Sequence, residues 1–234
     1  MRCVVLRPDA LLASVFGSVT LLVAGCGSEP RDLDPEPEPE EEACPADAPP
    51  TRTASCVLSF TPGEGSGFGM EEYPEIVYGP PHGGSSSSGS LHVLSLGKGG
   101  EIALGFGGNT IVDGPGPDFI VFENPFLVGG DPMKVFKELG EVSVSADGET
   151  WTTFPCQADA YPYEGCAGWR PVLATPDSGE GMFNPEVAGG DPFDLAELGL
   201  SEVRFVRVRD ISNFGAADTA GFDLDAIAIV NPSR

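Results

Sequence analysis

Apolar residues in this chain come in short runs with a period of two, and Gly or Pro breaks nearly every run. In Val203-Arg204-Phe205-Val206-Arg207-Val208-Arg209 the alternation is plain. Successive side chains of a strand point to opposite faces, whereas a helix needs a period of 3.6, so this pattern calls for strands. Candidate strands are Cys56–Phe60, Ile76–Tyr78, Leu91–Leu96, Glu101–Phe106, Asp118–Glu123, Glu141–Ala146, Thr150–Phe154, Glu202–Arg209 and Phe222–Val230. Asp147-Gly148 between two of them is a strong hairpin signal. Only Lys134–Leu139 and Asp194–Leu198 look helical, each about a turn long. The 32 Gly and 23 Pro are scattered as punctuation between runs, and 14 Phe are spread through the runs themselves. Many short strands joined by turns predict an all-β fold, a single β-sandwich of the jelly-roll kind with a few helical turns.

The first 43 residues read differently. Arg2 and Arg7 precede Ala10–Ala24, an uncharged and mostly apolar run. It falls short of the roughly 20 residues that span a bilayer, but it fits the apolar region of a signal peptide. It ends in Leu22-Val23-Ala24-Gly25-Cys26, which resembles the bacterial lipobox. Small side chains there let a signal peptidase approach the backbone, and the Cys26 thiol carries the diacylglycerol. Residues 1–25 are therefore expected to be a lipoprotein signal peptide. Residues 26–43 alternate Pro with Glu, a composition that favours extended polyproline II and self-repulsion, and are expected to be a tether. Residues 44–234 remain for the sandwich, enough for one sizeable core.

The formal net charge is −24. Such a field repels nucleic acid and anionic lipid headgroups, which leaves the lipid chain as the membrane contact. Some of the carboxylates are candidates for binding divalent cations. With only two histidines, His82 and His92, a histidine-based zinc or haem site is not expected. Cys44, Cys56, Cys156 and Cys166 remain once the leader is removed. Four cysteines allow three pairings, and local spacing favours Cys44–Cys56 and Cys156–Cys166. In an exported chain, disulfides are favoured over metal thiolates.

The metal hypothesis rests on acid spacing. Asp223 and Asp225 stand two apart on a predicted strand, which puts both carboxylates on one face. Asp210 ends the preceding strand, Asp218 lies in the loop between, and Asp113 and Asp118 flank a Gly-Pro turn. Ca²⁺ takes six to eight hard oxygens, and carboxylates beside sheet ends supply them. The competing explanation makes these acids turn anchors and solvated faces. No GxSxG, HExxH or Cys–His arrangement occurs, so no catalytic set is assigned. Glu123 is the acid to examine first, and hydrogen bonding to turn amides accounts for it equally. Tyr161, Tyr163 and Trp169 could stack on sugar faces or simply pack around the Cys156–Cys166 loop. Gly83–Gly89, with its four serines, reads as an exposed flexible loop. Gly-Gly-Asp-Pro occurs at 129–132 and again at 189–192, which suggests paired loops leading into two strands.

Three stretches carry a family resemblance: Ile111–Asn124 (IVDGPGPDFIVFEN), Glu141–Trp151 (EVSVSADGETW), and Val203–Asp210 (VRFVRVRD) with Gly221–Ala226 (GFDLDA). Together they resemble bacterial cell-surface lipoproteins of the myxobacterial type. The second and third are also similar to discoidin-like, galactose-binding-like jelly rolls. The resemblance covers roughly Tyr73–Asn231 and implies a galactose-binding-like jelly roll at the cell envelope. The binding aromatics of carbohydrate modules do not match here residue by residue. The expected function is a non-enzymatic module that binds a glycan or a surface protein, with Ca²⁺ stabilising its loops. The alternatives are a purely structural envelope protein and a carboxylate-dependent glycan hydrolase.

Overall fold

The structure, a computed structural model, describes residues 44–212 and 221–234. The predicted leader, the tether with Cys26, and Asp218 lie outside the described residues. The strands are β1 (Cys56–Thr61), β2 (Leu94–Ser95), β3 (Glu101–Gly105), β4 (Ile111–Val112), β5 (Phe119–Phe122), β6 (Phe126–Leu127), β7 (Val135–Phe136), β8 (Gly140–Ser145), β9 (Thr152–Thr153), β10 (Cys166–Ala167), β11 (Asp191–Phe193), β12 (Glu202–Val203), β13 (Phe205–Asp210), β14 (Asp223–Leu224) and β15 (Ala226–Ile229). The main sheet runs β1-β3-β13-β8-β10, with β9 beside β8, and every pairing in it is antiparallel.

Alternation along β13 decides how that sheet packs. Val206 pairs with Leu104 and Val144, and Val208 with Ile102 and Val142, so one face is a continuous aliphatic layer. The opposite face carries charge: Arg209 bonds Glu141 at 2.9 Å, Arg207 lies 3.7 Å from Glu101, and Arg207 covers the Trp151 ring. A second sheet, β11-β5-β15, supplies Phe119, Val121, Phe193, Ile227 and Ile229 to the same core. These side chains are almost wholly buried, each worth about 1.5–3 kcal/mol relative to exposure. The other face of β5 and β15 is covered too, by Val172, Ala174, Met182 and Ala188. The domain is therefore an all-β fold in which one sheet packs on another, as the period-two runs require.

Two elements differ in kind from the sequence expectation, and the expected strands Glu202–Arg209 and Phe222–Val230 are each divided between two sheets. Ile76–Tyr78 falls largely in a 3-10 turn, Glu75–Val77, with Ile76 and Val77 both buried. A three-residue run fixes no period, and two adjacent buried positions suit a turn rather than a half-buried strand. Lys134–Leu139 is not helical: β7 pairs with β6, and Phe126 stacks on Phe136 at 5.0 Å. That cross-strand aromatic pair outweighs local helix propensity. The two Gly-Gly-Asp-Pro copies also part company. The first forms the exposed tip of the β6–β7 hairpin. The second leads into β11 against the core, where a Cβ on Gly190 (φ 70°) would lie 2.6 Å from the Phe122 ring. The structure joins Cys44 to Cys56 and Cys156 to Cys166, the pairings that local spacing favours.

Candidate functional site

A cleft of about 500 Å³ opens beside the Cys156–Cys166 loop, lined by Gln157, Glu164, Trp169, Arg170, Asp194 and Glu197 among others. The chain leaves β10 through Gly168, whose φ is 90° and where an added Cβ would lie 2.1 Å from the Glu138 carbonyl oxygen, so no side chain fits. The amides of Gly168 and Trp169 both donate to Asp191 Oδ2, at 2.7 and 3.2 Å, which fixes where Trp169 emerges. Tyr161 and Tyr163 meet Trp169 edge-on at 5.8 and 6.1 Å, and Arg170 covers the Trp169 ring. Tyr161 is half exposed. Asp191 also lines the cleft, and burial pushes its carboxyl up to about 7 although both amides and Arg170 pull the other way.

On the far side of the Gly168 turn, three carboxylates converge. Three successive amides are each captured by a different acid: Gly221 N–H by Glu138 (2.8 Å), Phe222 N–H by Asp210 (2.9 Å) and Asp223 N–H by Glu123 (3.4 Å). Glu123, Glu138 and Asp223 each place a carboxylate oxygen within 4.8 Å of the others. Glu123 is 2 % exposed, and its Oε2 has no hydrogen-bond partner. Asp223 Oδ1, Ser95 Oγ and Asn124 Oδ1 are likewise buried and lack a well-formed hydrogen bond, although Ser95 and Asn124 lie close enough to Asp223 to draw its carboxyl downward. Ser95 pairs with Asp223 across β2–β14, and Asn124 follows Glu123. Burial raises Glu123 well above the ordinary carboxyl range, and the neighbouring Asp223 adds to it. Burial likewise lifts Glu138 to about 7 and raises Asp223. Leaving several buried oxygens without well-formed hydrogen bonds costs free energy that a cation would recover.

Of the six acids singled out from spacing, the five among the described residues sort into three places. Asp210 lies beside the cluster, close enough to raise both Glu138 and Asp223, but its own oxygens are taken by the Gly99, Ser212 and Phe222 amides and the Ser212 hydroxyl. Asp223 belongs to the cluster, but Asp225 does not. The expected single strand breaks at Asp225, where the chain leaves its pairing with β2 and takes up β5. Asp225 turns instead toward His82 and His92, and accepts the His82 amide at 2.9 and 3.1 Å. Burial raises the Asp225 carboxyl to about 7, while burial and the neighbouring His92 lower His82. Asp113 and Asp118 do come together, with Asp194. Yet Asp118 is spent on anchoring turns: Oδ1 accepts from Gly114 N–H and Asn231 Nδ2, and Oδ2 from Leu195 N–H, all at 2.8 Å. Asp194 caps the 3-10 turn Leu195–Leu198 through the Ala196 amide. The turn-anchor explanation accounts for this group.

Sequence reasoning missed Glu138, Ser95, Asn124 and Asp191, and it discounted the two histidines. Glu138 sat in a segment read as helix, and Ser95 becomes a neighbour only through β2–β14 pairing. Asp191 lies in the second Gly-Gly-Asp-Pro, and only its packed setting in the fold separates it from the first. Among the described residues, no helix is long and apolar enough to cross a membrane. The fold and its sites define a class: a disulfide-linked, antiparallel all-β domain with an aromatic-flanked cleft and buried carboxylates. No protein-family model matches the chain, and no curated protein matches it in sequence.

Proposed function

We propose that this domain is a non-enzymatic glycan-binding module, held outside the cytoplasm by a lipid on Cys26, with its ligand in the cleft beside Trp169. The observation that carries this reading is Trp169 on the wall of a polar cleft, with Tyr161 and Tyr163 packed edge-on against it. Sugar rings offer C–H faces to aromatic side chains and hydroxyls to flanking carboxylates, amides and guanidinium groups. Gln157, Glu164, Arg170, Asp194 and Glu197 supply that second set of partners. The lipobox-like Leu22–Cys26, the Pro/Glu tether and the two disulfides support display in an oxidising compartment. Calcium is proposed for the Glu123–Glu138–Asp223 cluster, where buried oxygens of Glu123, Asp223, Ser95 and Asn124 that lack well-formed hydrogen bonds form a hard-oxygen donor set.

A glycan array probed with the full chain tests the cleft. The expected result is binding to a defined set of glycans that is lost in Trp169→Ala while the fold persists. Uniform failure to bind, by protein shown to be folded, would argue for a structural envelope role.

One observation favours a second reading, that of a carboxylate-dependent glycan hydrolase. Asp191 is a buried carboxyl with a pKa near neutrality at the cleft, a combination found in general acids. Incubating array-positive glycans with the protein separates the two. Shortened products that vanish in Asp191→Asn would favour hydrolysis, and intact glycans would favour binding alone.

A further inference from the structure

His82 and His92 bracket the Gly/Ser loop, one at each end, and the fold brings them together. Their rings stack with centroids 3.6 Å apart and planes inclined by 24°. Beneath them lies Asp225, 1 % exposed, at the junction of β14 and β15. His82 Nδ1 lies 3.8 Å from Asp225 Oδ1, and ligand atoms of all three residues fall within 4.8 Å of one another. The Nδ1 atoms of both histidines are buried and have no hydrogen-bond partner. Two buried imidazole nitrogens without partners, beside one oriented carboxylate, are unusual in a packed interior, where polar atoms are paired.

We infer that His82, His92 and Asp225 form a binding site for a divalent transition-metal cation of the zinc class. Imidazole nitrogen with carboxylate oxygen is a donor set that suits zinc, and calcium or magnesium prefer oxygen alone. Metal–donor bonds of about 2.0–2.2 Å need donors within a few ångströms of one another, and donors grouped within 4.8 Å reach that once the imidazoles rotate out of their stack so that both in-plane lone pairs point at one ion. The His82 amide donates to both Asp225 oxygens and so holds the carboxylate in place. The half-exposed histidines leave a side open to solvent, so three protein ligands and a water complete a tetrahedron. The metal would tie both ends of the 83–91 loop to the core. That loop packs on Asn124 at Gly89, where a Cβ would come within 1.8 Å of Asn124 Oδ1, and it lines a small cavity with Glu123. Zinc would thereby fasten the cover of the carboxylate cluster, and the two sites would take chemically different ions.

The test is zinc titration of the full chain after stripping with a chelator, in excess Ca²⁺ so that the all-oxygen cluster is occupied. One zinc per chain is expected, with Co²⁺ in its place giving the visible absorption of a tetrahedral site. His82→Ala and His92→Ala should each weaken binding at least about tenfold. Both are preferred to Asp225→Asn, because Asp225 also anchors the His82 amide. Circular dichroism confirms that each variant is folded. Zinc binding undiminished in the double histidine variant, or no zinc binding by folded wild-type protein, would overturn the inference.

Discussion

Asp191 is wholly enclosed, yet its two oxygens are served unequally. Oδ2 takes two amides, while Oδ1 has only the Arg170 Nε, 3.9 Å away. Burial outweighs both, so the folded protein holds the Asp191 proton up to about pH 7 against a reference value of 3.8. A carboxyl raised on folding binds its proton more tightly in the native state. Its ionisation therefore opposes folding, and the unfolding free energy falls as pH rises from about 4 to 7. In Asp191→Asn that decline should be shallower than in wild type, read from urea unfolding at several pH values. Equal slopes in the two proteins would show that Asp191 ionises as freely folded as unfolded. Nothing in Gly-Gly-Asp-Pro distinguishes Asp191 from the half-buried Asp131, because burial depends on what the chain later packs against the turn. Asp118 was legible as a turn residue, since a Gly-Pro segment needs its amides satisfied.

At the scale of elements, the alternating runs gave their strands wherever one face is buried. β1, β3, β8 and β13 fall where period two places them, because a one-residue slip would turn the aliphatic layer outward, while β5, covered on both faces, shows as a continuous apolar run. The failures share a cause. Lys134–Leu139 and Ile76–Tyr78 are short, and their structure follows partners distant in sequence rather than their own pattern. The break at Asp225 is of the same kind. Period two holds only along a continuous strand, and the change of partner from β2 to β5 splits Asp223 from Asp225. The convergence of Glu123, Glu138 and Asp223 is assembled from three segments and could not be read from spacing. Its consequence is measurable. A cation that binds only the folded state adds about 2.7 kcal/mol at a hundredfold excess over its Kd. Chelation should lower Tm, and Ca²⁺ should restore it better than Mg²⁺, whose octahedral demand is stricter. Glu123→Gln with Asp223→Asn should abolish most of the calcium response. Sodium at matched ionic strength controls for screening. A Tm indifferent to calcium in metal-stripped protein would refute the site.

On the proposed reading, the whole chain joins a leader and a spacer to a recognition domain. If Cys26 carries the lipid, Cys26→Ser should abolish palmitate labelling and move the protein out of the membrane fraction. Continued labelling would contradict the anchor. The second disulfide belongs to the cleft, since it closes the loop that carries Tyr161 and Tyr163 next to Trp169. Opening it with Cys156→Ser and Cys166→Ser removes about 3 kcal/mol in the chain-entropy account. It should weaken ligand binding as well as lower Tm, and a Tm change alone would detach the loop from recognition. The central claim is that the cleft holds a glycan, and isothermal titration with the best array ligand tests it most directly. Wild-type protein should bind one glycan per chain, and Trp169→Ala should lose at least about tenfold in affinity, some 1.4 kcal/mol. Affinity unchanged in a folded Trp169→Ala variant would contradict the account.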